Sequence, residues 1–432
     1  MVRRFRNWAG THSSVARRFS QPRSDEEVAD VVRRARGDGL RARVVGAGHS
    51  WNDIACTDGE SINLDRMARV VSVDAERCRV TVEAGIRLFE LIEQLASRGL
   101  ALSILGSITE QSIAGAIATG THGSGARFGN LATQVTALRI IGSDGEARDL
   151  DAEREPELFA AARVGLGCLG VVTRVTLQCE PLFNLEEKSF RLPFARAVDE
   201  MQAIVDSHQH VKLWWLPHTD FVQVYCADRT PHAPTRNRFG HWLDQSLLLR
   251  GVFRALLWTG GRAPSAVPSL NRLVARSYFV PHRWIDRGDR VFHTPMPPLH
   301  REMEYAIPRE SAPQALIQMR QLIERERLRV SFLQEARFVA QDDIHLSPAY
   351  GRATCQLGAY SYYGEECDRY FGLFEQMMLE MDGRPHWGKE FSVGGEVLAP
   401  RYPKWRDFVS AKDRLDPDRV FENDFVKRLF KR

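Results

Sequence analysis

Between positions 106 and 125 the chain reads Gly-Ser-Ile-Thr-Glu-Gln-Ser-Ile-Ala-Gly-Ala-Ile-Ala-Thr-Gly-Thr-His-Gly-Ser-Gly, a composition that no packed core explains. Small residues let a large flat cofactor lie against backbone, and Ser and Thr hydroxyls bond phosphate or ring heteroatoms. A pair of flexible loops is the alternative. Linkers, however, seldom carry apolar residues such as Ile113, Ile117 and Val135 at packing intervals.

A second small-residue segment, Val44-Val45-Gly46-Ala47-Gly48-His49-Ser50, follows a run with strand character at 41–45. Its glycines let backbone N–H groups turn towards an anion, and a pyrophosphate is the natural guest. The loop sits at the C-terminal end of a strand, where α/β sheets bind ligands. Trp51 stands where a dinucleotide fingerprint would need its third glycine, so the loop alone is a weak signal.

Around these loops strands and helices alternate over the first 180 residues. Ser24 and Glu27 form a capping box, Val28, Val31, Val32 and Ala35 make an apolar stripe, and Gly37 closes the helix. Runs 69–73 and 79–83 predict a hairpin, and Leu88, Leu91, Ile92 and Leu95 share one helix face that ends before Gly99. After Pro181 tryptophans, prolines and basic stretches replace the glycines, which places a domain boundary near 182. Strands are expected at 211–216, 221–225, 332–339 and 354–362, a polar loop at 227–240, and helices at 313–325 and 367–381. That pattern is a sheet covered by helices.

Composition narrows the function. The net charge of +4 comes from dispersed arginines, which argues against a nucleic-acid partner. Seven cysteines without a CxxC pair suggest neither zinc nor a disulfide framework, and a reducing, cytoplasmic setting fits. The segment 247–257 is too short to span a bilayer. With Arg250 and Arg254 among apolar residues it could rest on a membrane surface, although an ordinary domain helix is the plainer reading.

Six motifs in order, V-V-G-A-G-H-S, D-I-A-C-T-D-G, T-V-E-A-G, A-T-G-T-H-G-S-G, A-R-V-G-L-G-C-L-G-V-V and P-H-W-G-K, resemble the sugar-lactone oxidase group of the vanillyl-alcohol oxidase type of FAD enzymes. The resemblance runs from about residue 5 to about residue 429. It implies an α+β protein with a PCMH-type, two-part FAD domain at 1–182, a cap domain at 183–385 and a C-terminal tail, 386–432, returning to the flavin. It implies FAD bonded through its 8α-methyl to His49, which read alone would be a hydrogen-bonded loop histidine. A neutral imidazole nitrogen suits that bond as a nucleophile.

By the same resemblance Val44, Val45, Gly46, Ala47, Gly48, Ser50, Ser112, Gly115, Thr119, Gly120, Thr121, His122, Val171 and His386 would contact FAD. Gly106 would stand where oxygen access to the flavin is controlled. Ser107, Glu335, Arg337, Thr354 and Lys389 would face the substrate. Glu335 and Arg337, two apart in a strand, leave the same face; unaided, they read as an exposed ion pair. The implied reaction is oxidation of an aldonolactone of the L-gulono-1,4-lactone type at C2-OH, with O2 as acceptor and H2O2 released. A polyol substrate or an acceptor other than O2 are the alternatives. Ala336 departs from the Val of the lactone oxidases, and Glu390-Phe391 after Lys389 looks more like the alditol enzymes.

Overall fold

A computed structural model describes residues 3–236, 253–294, 299–362 and 365–431. The first helix, Asp25–Gly37, is capped as its sequence predicts: the Ser24 hydroxyl accepts the Glu27 N–H at 3.2 Å, acids occupy the first turn, and Arg34 and Arg36 occupy the last. Its buried stripe covers a three-stranded parallel sheet ordered Arg18–Ser20, Glu60–Ile62, Ala42–Val44. The small-residue loop 45–50 leaves the third of these strands.

A second, antiparallel sheet follows the order Ala147–Asp151, Val135–Ile141, Val171–Gln178, Arg79–Glu83, Val70–Asp74, and contains the expected hairpin. The short helix Ile113–Ala118, started by Ser112, packs against this sheet, with Ile113, Ala116 and Ile117 buried. One hydrophobic core runs through both sheets and on into the rest of the chain.

From Asn184 onward the chain builds an eight-stranded antiparallel sheet: His282–Arg287, Asn184–Pro193, Phe221–Thr230, His210–Trp215, Gln334–Val339, Thr354–Ser361, Arg301–Pro308, Arg384–Pro385. Its two faces differ in chemistry, because side chains alternate along each strand. Leu213, Ala336, Phe338, Cys355, Leu357, Met303 and Tyr305 join the core with the helices Ala312–Arg325 and Glu365–Glu380. The opposite face presents Lys212, Trp214, Glu335, Arg337, Gln356, Tyr360, Glu302 and Glu304, placed beside one another by the strand register.

Two local expectations change. The strand Phe221–Thr230 runs through the first residues of the supposed polar loop, where Cys226 and Ala227 are core residues, and 237–240 lie outside the described residues. Of the amphipathic segment 247–257, only 253 onward is described, as the start of the helix Phe253–Arg262. Among the described residues no helix is long and apolar enough to cross a membrane.

Candidate active site

Two cavities meet at the end of the loop 45–50. The first is lined by Val44 to Ser50, Ser112, Gly115, Thr119 and the glycines 165, 167 and 170. The second lies under the polar face of the large sheet and is lined by Trp8, Ser107, His122, His300, Glu302, Arg337, Tyr360, His386 and Lys389. His49, Ser50, Gln111 and Thr119 belong to both. A molecule filling both must therefore pass His49.

The first cavity is shaped for an anion held by backbone. Among the described residues the N–H groups of Gly46 to Ser50 donate to no protein acceptor, while Val45 and Trp51 on either side do, to Ile62 O and Gly388 O, each at 2.8 Å. A Cβ on Gly46 would stand 2.6 Å from the Ser112 hydroxyl, and Gly48 has φ +71°, so glycine is required at both. These free donors fit a pyrophosphate. Arg43 lines this cavity but its guanidinium is fully occupied by the carbonyls of Ile54, Leu166, Gly167 and Phe421, at 2.6 to 3.0 Å. It braces the walls and has no donors to spare for a ligand.

In the second cavity charge is concentrated and dry. Glu302, Glu304 and Glu335 are 1–2% exposed and Arg337 8%. Arg337 Nη2 donates to both oxygens of Glu304, at 3.0 and 3.1 Å, and its Nε lies 3.3 Å from Glu335. The Lys389 ammonium pairs with Glu302 and rests 3.9 Å from the Trp51 ring centroid. Burial pushes the Glu304 carboxyl up, but the Arg337 guanidinium and His122 outweigh it and hold it well below the carboxylate range. Lys389 does the same for Glu302. Burial presses His386 down to about 3, so it is neutral, and its Nδ1 accepts the Gly388 N–H at 3.0 Å. His122 sets Nδ1 against Gly123 O, 2.9 Å away, and Nε2 against Glu304, 2.7 Å away.

His49 differs from its neighbours. Burial lowers its pKa, which favours the neutral ring, and among the described residues neither nitrogen has a hydrogen-bond partner. The ring stacks on Trp8, 5.8 Å between centroids.

The sheet register and the tail together assemble this site. Lys389 is far from Glu302 in sequence, but Asn52 Nδ2 donates to Trp387 O and Lys389 O, each at 2.8 Å, and so pins the tail to the glycine loop. Trp51, in the place of a third glycine, supplies the ring under Lys389 and donates Nε1–H to His300 O at 3.1 Å.

Four of the expected residues do not line either cavity. Thr354, fully buried, lies outside both cavities and accepts from Gln356 Nε2 at 3.1 Å. Glu335 is behind Arg337, its oxygens accepting from Trp214 Nε1 at 2.7 Å and Tyr360 Oη at 2.9 Å, so it is neither an exposed pair nor a cavity wall. Gly120 ends a helix with φ +70°, against Pro348 and Val164, and Val171 points into the core while Val172 lines the first cavity. Missed altogether were Trp8, His300, Glu302, Glu304 and Tyr360. The alternation Arg301-Glu302-Met303-Glu304-Tyr305, two acids on one face of an otherwise core strand, was the available signal.

Comparison with known proteins now bears on the site. Residues 175–429 match the model of the D-arabinono-1,4-lactone oxidase family, and residues 16–151 match an FAD-binding domain. The chain belongs to the D-arabinono-1,4-lactone oxidase family. It is 40% identical to L-gulono-1,4-lactone dehydrogenase of Mycobacterium tuberculosis, over 98% of each chain, and 35% identical to L-gulonolactone oxidase of Bos taurus, over 99% of this chain and 98% of that one. A solvent-stable cholesterol oxidase superposes with a TM-score of 0.82 at 17% identity, covering 99% of this chain and 97% of that one. Cholesterol oxidase from B. sterolicum does so with 0.83 at 15%, with the same coverage. These likenesses identify the α+β, PCMH-type FAD fold. This member of the lactone oxidase family is an FAD-dependent oxidoreductase.

Proposed function

We propose that the chain oxidises C2-OH of an aldonolactone of the L-gulono-1,4-lactone type, with FAD bonded to His49 and O2 as acceptor. The observation that carries this reading is the junction of the two cavities at an imidazole with no hydrogen bond. Residues 1–182 then bind the cofactor, 183–385 cover it, and 386–432 return Lys389 to it.

Bound FAD supplies a two-electron acceptor for hydride at its N5. The free N–H groups of 46–50 hold its diphosphate, with Ser112, Gly115, Thr119, Thr121, His122 and His386 beside the rest of the molecule. Arg337 and Lys389 orient the lactone oxygens and stabilise the negative charge that grows as the hydroxyl loses its proton. Ser107 lines the same cavity as a hydroxyl donor. Glu335 and Glu304 keep the Arg337 fork in one orientation. Glu302 and Glu110 are the carboxylates that line the cavity; Glu302, paired with Lys389 and held far below the usual carboxylate range, fixes that ammonium in place and is not the proton acceptor. Gly106 lines the same cavity, and the Thr121 methyl fills its side-chain direction, 2.8 Å from where a Cβ would stand. A second reading, a lactone dehydrogenase that uses another acceptor, is favoured by the name of the relative at 40% identity.

Turnover of L-gulono-1,4-lactone and of xylitol, in air and with an artificial acceptor, separates these readings. The lactone is expected to react at least about a hundredfold faster than xylitol, since a site built for one set of hydroxyls leaves its polar groups unpaired with another. Faster xylitol turnover would overturn the substrate, and strict need for the artificial acceptor would overturn O2.

His49→Ala tests the bond. Wild-type protein precipitated in acid should give a yellow pellet, and the variant a white pellet under a yellow supernatant. A wild type that releases its flavin removes the bond to His49.

A further inference from the structure

The N-terminal strands Arg3–Arg6 and Ser13–Ala16 carry a turn, 7–12, that sits on the cofactor loop. Trp8 N–H donates to Gly48 O at 2.8 Å, Asn7 Nδ2 to Ser50 O at 3.0 Å, and Thr11 Oγ1 to Trp51 O at 3.1 Å. Asn7 also closes the turn on itself, bonding Thr11 and the His12 N–H, each at 3.0 Å. Phe5 lies so near Gly48 that a Cβ there would be 3.1 Å from its ring. The two segments are fitted to one another.

This seating lays the Trp8 indole on the His49 imidazole, with centroids 5.8 Å apart and planes at 24°. The indole is itself held edge-on by Trp51 at 5.6 Å and His300 at 5.3 Å. A histidine without hydrogen bonds would sample several rotamers. Stacking on a fixed ring restricts its plane, and bond formation depends steeply on the alignment of the attacking lone pair.

We propose that Trp8 is the positioning residue for attachment of the flavin to His49. The inference rests on the covalent reading above. In the net step one imidazole N–H and one C–H of the 8α-methyl are exchanged for an N–C bond, and two protons leave to solvent. Two electrons leave to O2 or the artificial acceptor.

The test uses the full chain as Trp8→Ala and Trp8→Phe, with total flavin per polypeptide measured first and the acid-precipitable fraction second. Trp8→Ala should keep total flavin within twofold and lose at least fivefold in the acid-precipitable fraction. Trp8→Phe, which can still stack, should stay near wild type. If Trp8→Ala does not accumulate, Trp8→Leu, bulky but ringless, carries the same expectation. A wild-type-like fraction in the ringless variant would overturn the proposal, and so would a loss of total flavin in the same proportion, which marks a merely structural role. A white wild-type pellet removes the bond to His49 and this proposal with it. A yellow wild-type pellet beside a yellow Trp8→Ala pellet removes the proposal alone.

Discussion

Arg337→Met should lower kcat/KM for the lactone by about a thousandfold, the upper end of what one well-placed electrostatic group contributes, while flavin content stays near wild type. The guanidinium lines the second cavity and is buried, with Glu304 and Glu335 raising its pKa against the effect of burial, so it is a fixed cation in a region of low dielectric. Removing it also leaves Glu304 buried with only His122 beside it, so its charge repels the negative charge developing on the substrate. Lysine at this position should recover little, because one ammonium cannot bond Glu304 through two oxygens and face the cavity as well. The double variant Arg337→Met with Glu304→Gln should regain the stability lost by the single variant but not its activity. Kinetics of the single and double variants, with thermal unfolding alongside, provide the check. A loss of less than tenfold would place Arg337 outside the chemistry.

Arg43→Met should destabilise the protein by about 4 kcal/mol, since each buried carbonyl left without a donor costs about 1 to 3 kcal/mol. Arg43 joins three parts of the chain: Ile54 beyond the glycine loop, Leu166 and Gly167 in the third glycine segment, and Phe421 in the tail. Ile54 O would keep the Asn423 amide, 3.1 Å away, so three carbonyls lose their partner. Burial lowers the Arg43 pKa, and the charge is tolerated only because every donor direction is used. Urea unfolding of the flavin-loaded protein should show the shift in midpoint together with early flavin release. A midpoint equivalent to less than about 1 kcal/mol of change would mean that the walls of the first cavity close without this brace.

Much of this was legible before any fold was known. The glycine segments pointed to a ligand because close approach of backbone excludes a Cβ; at Gly46 and Gly48 the groups that stand in the way of a Cβ are the Ser112 hydroxyl and the Phe5 ring. Capping at Ser24 and the period of Val28, Val31 and Val32 gave the first helix almost to the residue. The resemblance sets Glu335 and Arg337 over the flavin, and Arg337 lines the second cavity; the residues alone could not say so, because two charges two apart on a strand look alike on an exposed sheet and on a buried polar one. Thr354 shares the polar-bearing sheet yet falls at the end of its strand, beyond the cavity.

The sequence by itself determined where backbone must come close to a ligand, which helices and strands form, and that the second half is a sheet backed by helices, because each of these is written in local periodicity and in the steric demands of single residues. Tertiary structure alone decided which side chains share the second cavity. Lys389 meets Glu302 only when the tail pairs with the strand Arg301–Pro308, where Glu390 N–H donates to Glu302 O at 3.0 Å, Trp8 meets His49 only when the N-terminal turn docks, and Glu304 meets Arg337 only across the strand Thr354–Ser361. Such contacts join residues 33 to more than 80 positions apart, and their pairing depends on register and docking, which carry no signature in either segment alone.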